Sequence, residues 1–192
     1  MEKRYFILNK PYDVISQFTK ENLNDVTLGD LGFDFPKDVY SVGRLDKDSE
    51  GLLVLTNDNQ LKTRLLEPKN EHRKTYLVQV ERIPSEEAMA KLREGVTITV
   101  DKKPYRTLPA KVKLLPEEFT VAPRNPPVRF RQSIPTAWLE ISLSEGKNRQ
   151  VRKMCASVDF PVLRLIRTRV GNVSLQNLGI GEVLEVKKSL FN

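Results

Sequence analysis

The sequence predicts a mixed α+β fold. Segments rich in β-branched, leucine and aromatic residues outnumber the helical segments, and the two kinds do not alternate strictly along the chain. With 192 residues, of which 39% are hydrophobic, the chain is long enough to bury a core as one large domain or two small lobes.

The N-terminal third contains two predicted strands and one predicted helix. YFILNKP (residues 5–11) predicts a strand that ends in a turn, and GLLVLT (residues 51–56) predicts a buried strand. Asn57 or Asp58 can then cap a short helix over residues 60–67, in which leucines form an apolar stripe.

For the middle of the chain, the sequence predicts two strands, one helix and then a proline-rich loop. KTYLVQV (residues 74–80) alternates polar and apolar residues, which predicts a strand. Ser85 then caps a helix that Gly95 ends, and another strand follows at residues 96–100. Seven prolines between residues 103 and 135 predict a long, semi-rigid loop without regular structure.

Three strands and a helix are predicted for the remainder. AWLEISL (residues 137–143) and the segments 162–171 and 182–187 are typical of strands. Between them, EGKNRQVRKMCASV (residues 145–158) predicts a turn leading into a helix.

The charge of the chain points to a polyanionic partner. Lys and Arg number 32 against 25 Asp and Glu, giving a formal charge of +7. Part of this charge is concentrated in PRNPPVRFRQ (residues 123–132), where Phe130 and other apolar residues are interleaved with arginines. This interleaving of apolar residues with arginines favours an ordered functional loop over a disordered insert.

Several classes of protein are disfavoured by composition. No apolar run approaches the ~20 residues of a membrane span, and the N-terminus lacks a signal-peptide pattern. A single cysteine, Cys155, and a single histidine, His72, provide neither a disulfide framework nor a zinc cluster. We therefore expect a cytoplasmic, metal-free protein.

The stretch GRLDKDSEGLLVLTND (residues 43–58) admits three interpretations. Asp46, Asp48, Glu50 and Gly51 imitate the first positions of a calcium-binding loop, but Asn57 stands where a bidentate glutamate is needed. A charged turn explains Asp48 to Gly51, and in it we expect Asp48, Ser49 and Glu50 to stay exposed. A carboxylate fixed between two strand ends, Asp46, is also well placed for catalysis, although spacing alone is a weak signal.

This stretch resembles the catalytic motif of the RsuA-type family of pseudouridine synthases. LNKPYDVISQF, the KTY strand and EGKNRQVRKM match the family in the same order, and PRNPPVRFRQSIPTAWL resembles the RluE-type branch, which acts on large-subunit ribosomal RNA. The resemblance covers nearly the whole chain. It implies one catalytic domain over residues 1–192, with two lobes around a central RNA-binding cleft and no separate N-terminal RNA-binding domain. It also implies a mostly antiparallel sheet with flanking helices.

The resemblance implies conversion of a specific uridine to pseudouridine in 23S ribosomal RNA, without a cofactor or metal. It gives Asp46 as the essential carboxylate, acting covalently or as a base in a glycal route, and Tyr76 as the aromatic platform for the base. Arg152 is the basic partner of the carboxylate. Helical geometry agrees. In a helix over residues 148–158 the apolar face consists of Val151, Met154, Cys155 and Val158. Arg152 falls at the edge of this face.

Ten basic residues are candidate RNA contacts. Arg44 resembles the family arginine that helps to displace the target base. For Arg149 a solvated helix face explains the charge equally well. The other candidates for a phosphate-binding surface are Lys10, Lys74, Arg124, Arg129, Arg131, Lys147, Arg164 and Arg167.

The expected partner is large-subunit ribosomal RNA or its assembly intermediate, with no DNA, no membrane and a monomeric protein. The alternative function is an RNA-binding module that kept the fold and lost activity. Basic charge does not separate the two, whereas an intact Asp46, Tyr76 and Arg152 favour the enzyme.

Overall fold

The computed structural model describes residues 2–67, 72–129, 131–175 and 177–191. The chain divides into two compact units. The first unit comprises the chain up to His72 together with the part from Arg167 onward, and the second unit comprises Arg73–Ile166. Among the described residues, every helix is too short or too polar to span a bilayer.

The described residues form many short strands and few helices. The strands are β1 (Tyr5–Lys10), β2 (Tyr40–Ser41), β3 (Glu50–Thr56), β4 (Lys74–Glu81), β5 (Thr97–Val100), β6 (Lys103–Arg106), β7 (Lys111–Leu114), β8 (Thr136–Leu143), β9 (Val162–Val170), β10 (Val173–Ser174) and β11 (Val183–Glu185). The α-helices are α1 (Asn59–Leu66), α2 (Glu86–Glu94) and α3 (Gln150–Ser157), and 3₁₀ turns span Leu28–Leu31 and Lys188–Phe191. Because strands and helices do not alternate strictly, the α+β prediction is confirmed.

The sheet of the first unit is built around β1, which lies between β3 and β11 and is antiparallel to both. Its register with β3 runs from Tyr5 opposite Thr56 to Lys10 opposite Gly51. β2 pairs with the end of β3, and β10 pairs with the end of β9. Every residue of β3 is buried, as its nearly continuous hydrophobic sequence predicts for a strand covered on both faces.

Alternate side chains of β1 and β3 enter two different cores. Tyr5, Ile7, Leu52 and Val54 belong to one hydrophobic cluster, which also contains residues of α1. Phe6, Leu8, Leu53 and Leu55 belong to the other, which also contains residues from the segment between β1 and β3. The period-two alternation of a strand therefore fixes β3 on both faces.

The first helix begins at one of the two predicted caps. The Asp58 carboxylate accepts from the backbone N–H groups of Gln60 and Leu61, at 3.1 and 3.4 Å. Asn57 instead accepts from the backbone N–H of Arg4, at 2.8 Å. The cap of α1 is therefore Asp58.

The second unit is organised around β4 and β8, which pair antiparallel along their whole length, while β7 pairs with the other edge of β8. Side chains of α2 and α3 share one hydrophobic core with β4 and β8. The alternating burial of β4 confirms the prediction made from its sequence. Ser85 caps α2 and Gly95 ends it, also as predicted.

The prediction of an irregular loop over residues 103–135 is wrong for its first part. β6 pairs with β5, with Pro104 opposite Thr99, and β7 pairs with β8. The strand β7 alternates exposed and buried residues, so it fits a sheet edge despite the neighbouring prolines. Residues 115–135, where described, contain no strand or α-helix, and we call them the basic segment.

Candidate active site

Asp46 lies in the short connection between β2 and β3, and we call residues 43–49 of this connection the aspartate loop. Before the loop, the backbone N–H of Val42 donates to the carbonyl of Val54 at 2.7 Å. Within it, the backbone N–H of Ser49 donates to the carbonyl of Asp46 at 3.0 Å and closes a turn. Asp46 is partly exposed. The first unit thus presents this carboxylate on a bonded turn between two paired strands.

Lys47, which follows Asp46, is held by its backbone and by its side chain. Its carbonyl accepts from the backbone N–H of Asp13 at 2.8 Å, and its ammonium lies 2.9 Å from the carboxylate of Asp25. The hydrogen bond from Lys47 lowers the pKa of Asp25 to about 2, and the same bond raises the pKa of Lys47. The aspartate loop is therefore tied to the segment that follows β1.

Gly51 is the residue at which the chain enters β3 beneath the loop. Its φ is +104°, and a Cβ added there would lie 2.2 Å from the carbonyl oxygen of Arg167. A side chain would therefore strain the backbone and collide with the neighbouring strand. The position requires glycine.

The expectation that Asp48, Ser49 and Glu50 stay exposed is wrong for two of the three. Ser49 and Glu50 are buried, and Asp48 is half-buried. The reason is that β3 already begins at Glu50 and all its residues are covered. Of the turn residues that separate Asp46 from β3, only Ser49 is therefore packed inside the first unit.

Lys10 is a correction to the predicted phosphate-binding surface. Its side chain is completely buried, and its ammonium donates to the carbonyls of Pro11 and Val14, at 2.9 and 2.6 Å. An ammonium enclosed in this way cannot reach a phosphate group. This burial could not be predicted from the sequence, because the partners of the ammonium are backbone carbonyls.

The buried Lys10 instead places a positive charge next to the aspartate loop. Burial lowers the pKa of Lys10 to about 8, while the negative charges of Glu50, Asp48 and Asp46 act in the opposite direction. The ammonium therefore offsets a group of carboxylates that would otherwise repel one another.

Arg44, two residues before Asp46, is exposed. Its guanidinium lies 3.8 Å from the carboxylate of Glu21, and both side chains are more than half exposed. An exposed pair of this kind holds its partners only weakly. The first unit thus leaves Arg44 accessible beside Asp46, and its predicted part in displacing the base stays a prediction.

Arg167 is a second correction to the predicted surface. Only 5% of it is exposed, and its Nε donates to the carbonyl of Leu52 at 2.8 Å. Because its backbone also packs against Gly51, Arg167 supports the strand beneath the aspartate loop.

In the second unit, Tyr76 and α3 belong to one core. Tyr76 is buried on β4, opposite Ile141 of β8. Its hydrophobic cluster includes Val151, Met154 and Cys155 of α3, which are the residues predicted to form the apolar face of the helix. The predicted helix face is therefore confirmed, and it packs in the cluster that holds Tyr76.

Arg152 lies at the edge of that face, as predicted. It is half-buried, and its Nη1 donates to the carbonyl of Val162 at 3.4 Å. The helix begins later than predicted, at Gln150, because Arg149 adopts a left-handed conformation with a φ of 51° at the N-cap position. Arg149 is thus exposed at the turn before α3 and does not lie on its face.

Glu145 organises the turn before α3, and the sequence prediction missed it. Its buried carboxylate accepts from the Tyr105 hydroxyl, from the backbone N–H of Leu108 at 2.8 Å and from the Gln150 amide. Gln150 in turn accepts from the backbone N–H of Lys147 at 2.9 Å. The sequence signal that could have predicted this network was the pair of Glu145 and Gln150 in EGKNRQ, since a buried carboxylate needs several donors.

Arg164 is the third correction to the predicted surface. It is 4% exposed, and its Nη1 donates to the carbonyl of Ala122 at 2.8 Å. Two further contacts anchor the basic segment. The centres of the Phe119 and Trp138 rings lie 5.9 Å apart, and the carbonyl of Pro135 accepts from the backbone N–H of Arg82 at 2.7 Å. Arg164 therefore fastens the basic segment from inside the second unit.

The remaining candidates in the second unit are accessible to different degrees. Arg129, Arg131, Lys147 and Arg149 are exposed, whereas Lys74 and Arg124 are half-buried. The Arg131 guanidinium lies 3.9 Å from the carboxylate of Glu81, and the Lys147 ammonium lies 4.9 Å from the centre of the Tyr105 ring. Arg124 donates to the carbonyl of Pro126 at 3.0 Å.

Three further residues, Cys155, His72 and Phe130, have no predicted role in the site. Cys155 is buried, as predicted, and burial raises the pKa of its thiol to about 12. His72 lies outside the helices and strands. Phe130, expected among the arginines of the basic segment, lies outside the described residues.

Comparison with known proteins places these features in a family. A family model described as RNA pseudouridylate synthase matches residues 4–157. The ribosomal large subunit pseudouridine synthase E of Vibrio parahaemolyticus is 49% identical over 96% of this chain and 74% of its own length. The protein of the same name from Xanthomonas axonopodis pv. citri is 47% identical over 90% of this chain and 88% of its own.

A solved structure agrees with these sequence matches and confirms the predicted fold. The crystal structure of a pseudouridylate synthase covers 99% of this chain and 73% of its own length, with a TM-score of 0.79 and 31% identity. The chain belongs to the RNA pseudouridylate synthase family.

Proposed function

We propose that this protein isomerises a uridine of large-subunit (23S) ribosomal RNA to pseudouridine, with Asp46 as the essential carboxylate. The observation that carries the proposal is a partly exposed aspartate held on a bonded turn between β2 and β3, in a motif shared with the family. Relatives named ribosomal large subunit pseudouridine synthase E support the choice of RNA.

The reaction exchanges one glycosidic bond for another. The N1–C1′ bond of the uridine breaks, the uracil turns, and C5 bonds to C1′. The proton on C5 is released to solvent, and N1 takes up a proton. Asp46 acts either as a nucleophile that forms a covalent intermediate or as a base toward the sugar in a glycal route. Both routes require an ionised carboxylate beside the uracil.

Tyr76 and Arg152 are the proposed contributions of the second unit. Tyr76 serves as the platform on which the uracil stacks, which returns part of the few kcal/mol spent in extracting a base. Arg152 supplies the cation that an ionised carboxylate needs in a partly dry site. Because Asp46 belongs to the first unit, we propose that the two units act as one catalytic domain.

The proposed RNA contacts are the accessible cations. Arg44 assists displacement of the base, and phosphates are bound by Lys74, Arg124, Arg129, Arg131, Lys147 and Arg149. The net charge of +7 supports such a surface. We further propose that the protein acts in the cytoplasm as a monomer, on ribosomal RNA or an assembly intermediate, without DNA or membrane partners.

Release of tritium from RNA labelled at uridine C5 tests the proposal. Wild-type protein should release tritium from large-subunit ribosomal RNA, free or partly assembled. Asp46→Asn should lower kcat by about 10⁴-fold or more while RNA affinity is retained. Asp48→Asn, which removes the same charge two residues away in the same loop, is the matched control and should stay active.

The outcomes separate the enzyme from its alternative. Binding without tritium release on every form of the RNA would contradict the enzyme and support an RNA-binding module. Equal losses in Asp46→Asn and Asp48→Asn would show that Asp46 has no special part in the reaction.

A further inference from the structure

We propose that Ser16 is a positioning residue for Asp46. A single hydroxyl of the segment that follows β1 bonds both backbone groups of Leu45, the residue immediately before the carboxylate. The catalytic consequence of this clamp rests on the proposed function, whereas the clamp itself does not.

In this clamp, one side chain makes the two backbone hydrogen bonds that a neighbouring strand would make in a sheet. Ser16 Oγ donates to the carbonyl of Leu45 at 2.8 Å and accepts from the backbone N–H of Leu45 at 3.0 Å. A hydroxyl has one proton and two lone pairs, so both bonds form at once. Ser16 is 2% exposed and Leu45 is 6% exposed, so water does not compete for these groups.

The clamp fixes the peptide plane that leads into Asp46. The carbonyl of Leu45 belongs to the peptide group before Asp46, and the carbonyl of Asp46, which accepts from Ser49, belongs to the peptide group after it. Each peptide group is planar and rigid. With both planes bonded, the direction in which the Asp46 side chain leaves the backbone is set.

Ser16 is itself held in place. Its carbonyl accepts from the Ser41 hydroxyl at 3.0 Å. On either side of it, the backbone N–H of Ile15 donates to the carbonyl of Val26 at 2.9 Å, and the carbonyl of Gln17 accepts from Leu28 at 3.0 Å. The hydroxyl therefore acts from a fixed support, which a positioning residue requires.

Thr56 offers a matched control at the other end of β3. Its buried hydroxyl donates to the carbonyl of Arg4 at 2.7 Å and accepts from the backbone N–H of Asp58 at 3.0 Å. Like Ser16, it donates to one backbone carbonyl and accepts from one backbone N–H in the same unit, although these groups belong to two different residues. Ser16→Ala and Thr56→Val each delete one such hydroxyl, but only Ser16→Ala touches the aspartate loop.

Hydrogen exchange tests the clamp without reference to RNA. In Ser16→Ala the Leu45 amide loses its acceptor, so its exchange in the full-length protein should accelerate by about tenfold or more. Thr56→Val should leave exchange in residues 43–49 unchanged. Unchanged exchange of the Leu45 amide in a folded Ser16→Ala protein would overturn the proposal.

Single-turnover and steady-state tritium release test the catalytic consequence. Ser16→Ala should lower kcat by about 10- to 100-fold, because a small misplacement of a catalytic group is enough to cost this much. KM for the RNA should stay within about twofold, since the substrate contacts are intact. Ser16→Thr keeps the hydroxyl and should restore both kcat and slow exchange.

The two readouts distinguish the two proposals. Tritium release by wild type together with equal losses of kcat in Ser16→Ala and Thr56→Val, at matched thermal stability, would overturn the positioning role. If wild type releases no tritium from any form of the RNA, the proposed function fails, and exchange at Leu45 still decides whether Ser16 clamps the loop.

Discussion

In the aspartate loop, three successive residues have a backbone carbonyl that accepts a hydrogen bond within the first unit, namely Leu45, Asp46 and Lys47, and the N–H of Leu45 is bonded as well. The basic segment of the second unit is different. It is fastened at Phe119, Ala122 and Pro135, and its exposed arginines project from an irregular chain.

The difference follows from what each region is proposed to do. A carboxylate that attacks or deprotonates must be placed to within a fraction of an ångström, so the backbone that carries it is bonded residue by residue. A cation that neutralises a phosphate acts over several ångströms and tolerates movement. Rigid support at Asp46 and looser attachment at Arg129 therefore suit the two tasks.

The largest effect is expected for Gly51→Ala, which disrupts the strand that supports the aspartate loop. The new Cβ would lie 2.2 Å from a backbone oxygen of Arg167, at a φ of +104°, and the two strands that carry these residues are hydrogen-bonded neighbours in the sheet. We expect the free energy of unfolding to fall by about 3 kcal/mol or more, measured by urea denaturation.

Gly32→Ala is the control for that experiment. Gly32 also has a positive φ, +75°, but no atom of the described residues lies within 4 Å of a Cβ added there. Its loss should be about 1 kcal/mol, the cost of the left-handed conformation alone. Equal losses in the two variants would mean that contact with Arg167 is unimportant.

The second test concerns the charge buried beside the aspartate loop. The pKa of Lys10 is about 8 in the folded protein against 10.5 for an unperturbed lysine. Between these values the unfolded chain binds the proton and the folded one does not, so the contribution of Lys10 to stability rises with pH. The rise amounts to about 3 kcal/mol between pH 8 and 10.5.

Lys10→Met should remove this rise from the pH profile of the free energy of unfolding. Lys103→Met, which removes an exposed lysine of β6, should leave it in place. A wild-type profile that matches Lys10→Met from pH 7 to 10.5 would show that the buried ammonium is not destabilised.

Sequence alone was sufficient for the parts of the fold that local pattern determines. The strand β4 alternates and α2 carries its cap and its glycine stop, so both were predicted within a residue or so. The position of Asp46 between two strands was also predictable, because the strand after it is a continuous apolar run.

Burial of Arg164 and Arg167 was not predictable, because it depends on partners far along the chain. Arg167 donates to the carbonyl of Leu52, which is 115 residues away, and Arg164 donates to Ala122, 42 residues away. Nothing in the local sequence separates these arginines from the exposed Arg129. Ser16 was missed for the same reason, since its partner Leu45 is 29 residues away.

The third test loosens the basic segment from within. Arg164→Gln removes the buried donor to Ala122, so hydrogen exchange over residues 115–124 should accelerate. RNA affinity should fall about fivefold, equivalent to roughly 1 kcal/mol, because the arginines must then be ordered on binding. Both are measured on the full chain, by exchange mass spectrometry and filter binding.

Arg4→Gln is the control for the third test. It removes the same charge from an exposed pair with Glu185, at 2.7 Å, in the first unit. It should leave exchange in the basic segment unchanged. If Arg4→Gln weakens RNA binding as much as Arg164→Gln does, the effect is one of net charge and not of fastening.

The smallest expected effect is that of Arg129→Ala, an exposed cation at a position where exact placement should not matter. RNA affinity should fall about threefold, and the slope of log K against log salt should decrease by about 0.7 to 0.9, the loss of one phosphate contact. At saturating RNA, kcat should be unchanged, because the aspartate loop is untouched.

Arg106→Ala removes another exposed arginine of the second unit, on β6, and should change neither the affinity nor the slope. A fall in kcat for Arg129→Ala at saturating RNA would contradict the division of labour between the two regions. In that case the basic segment would also position the uridine, and its looser attachment would have to tighten when RNA binds.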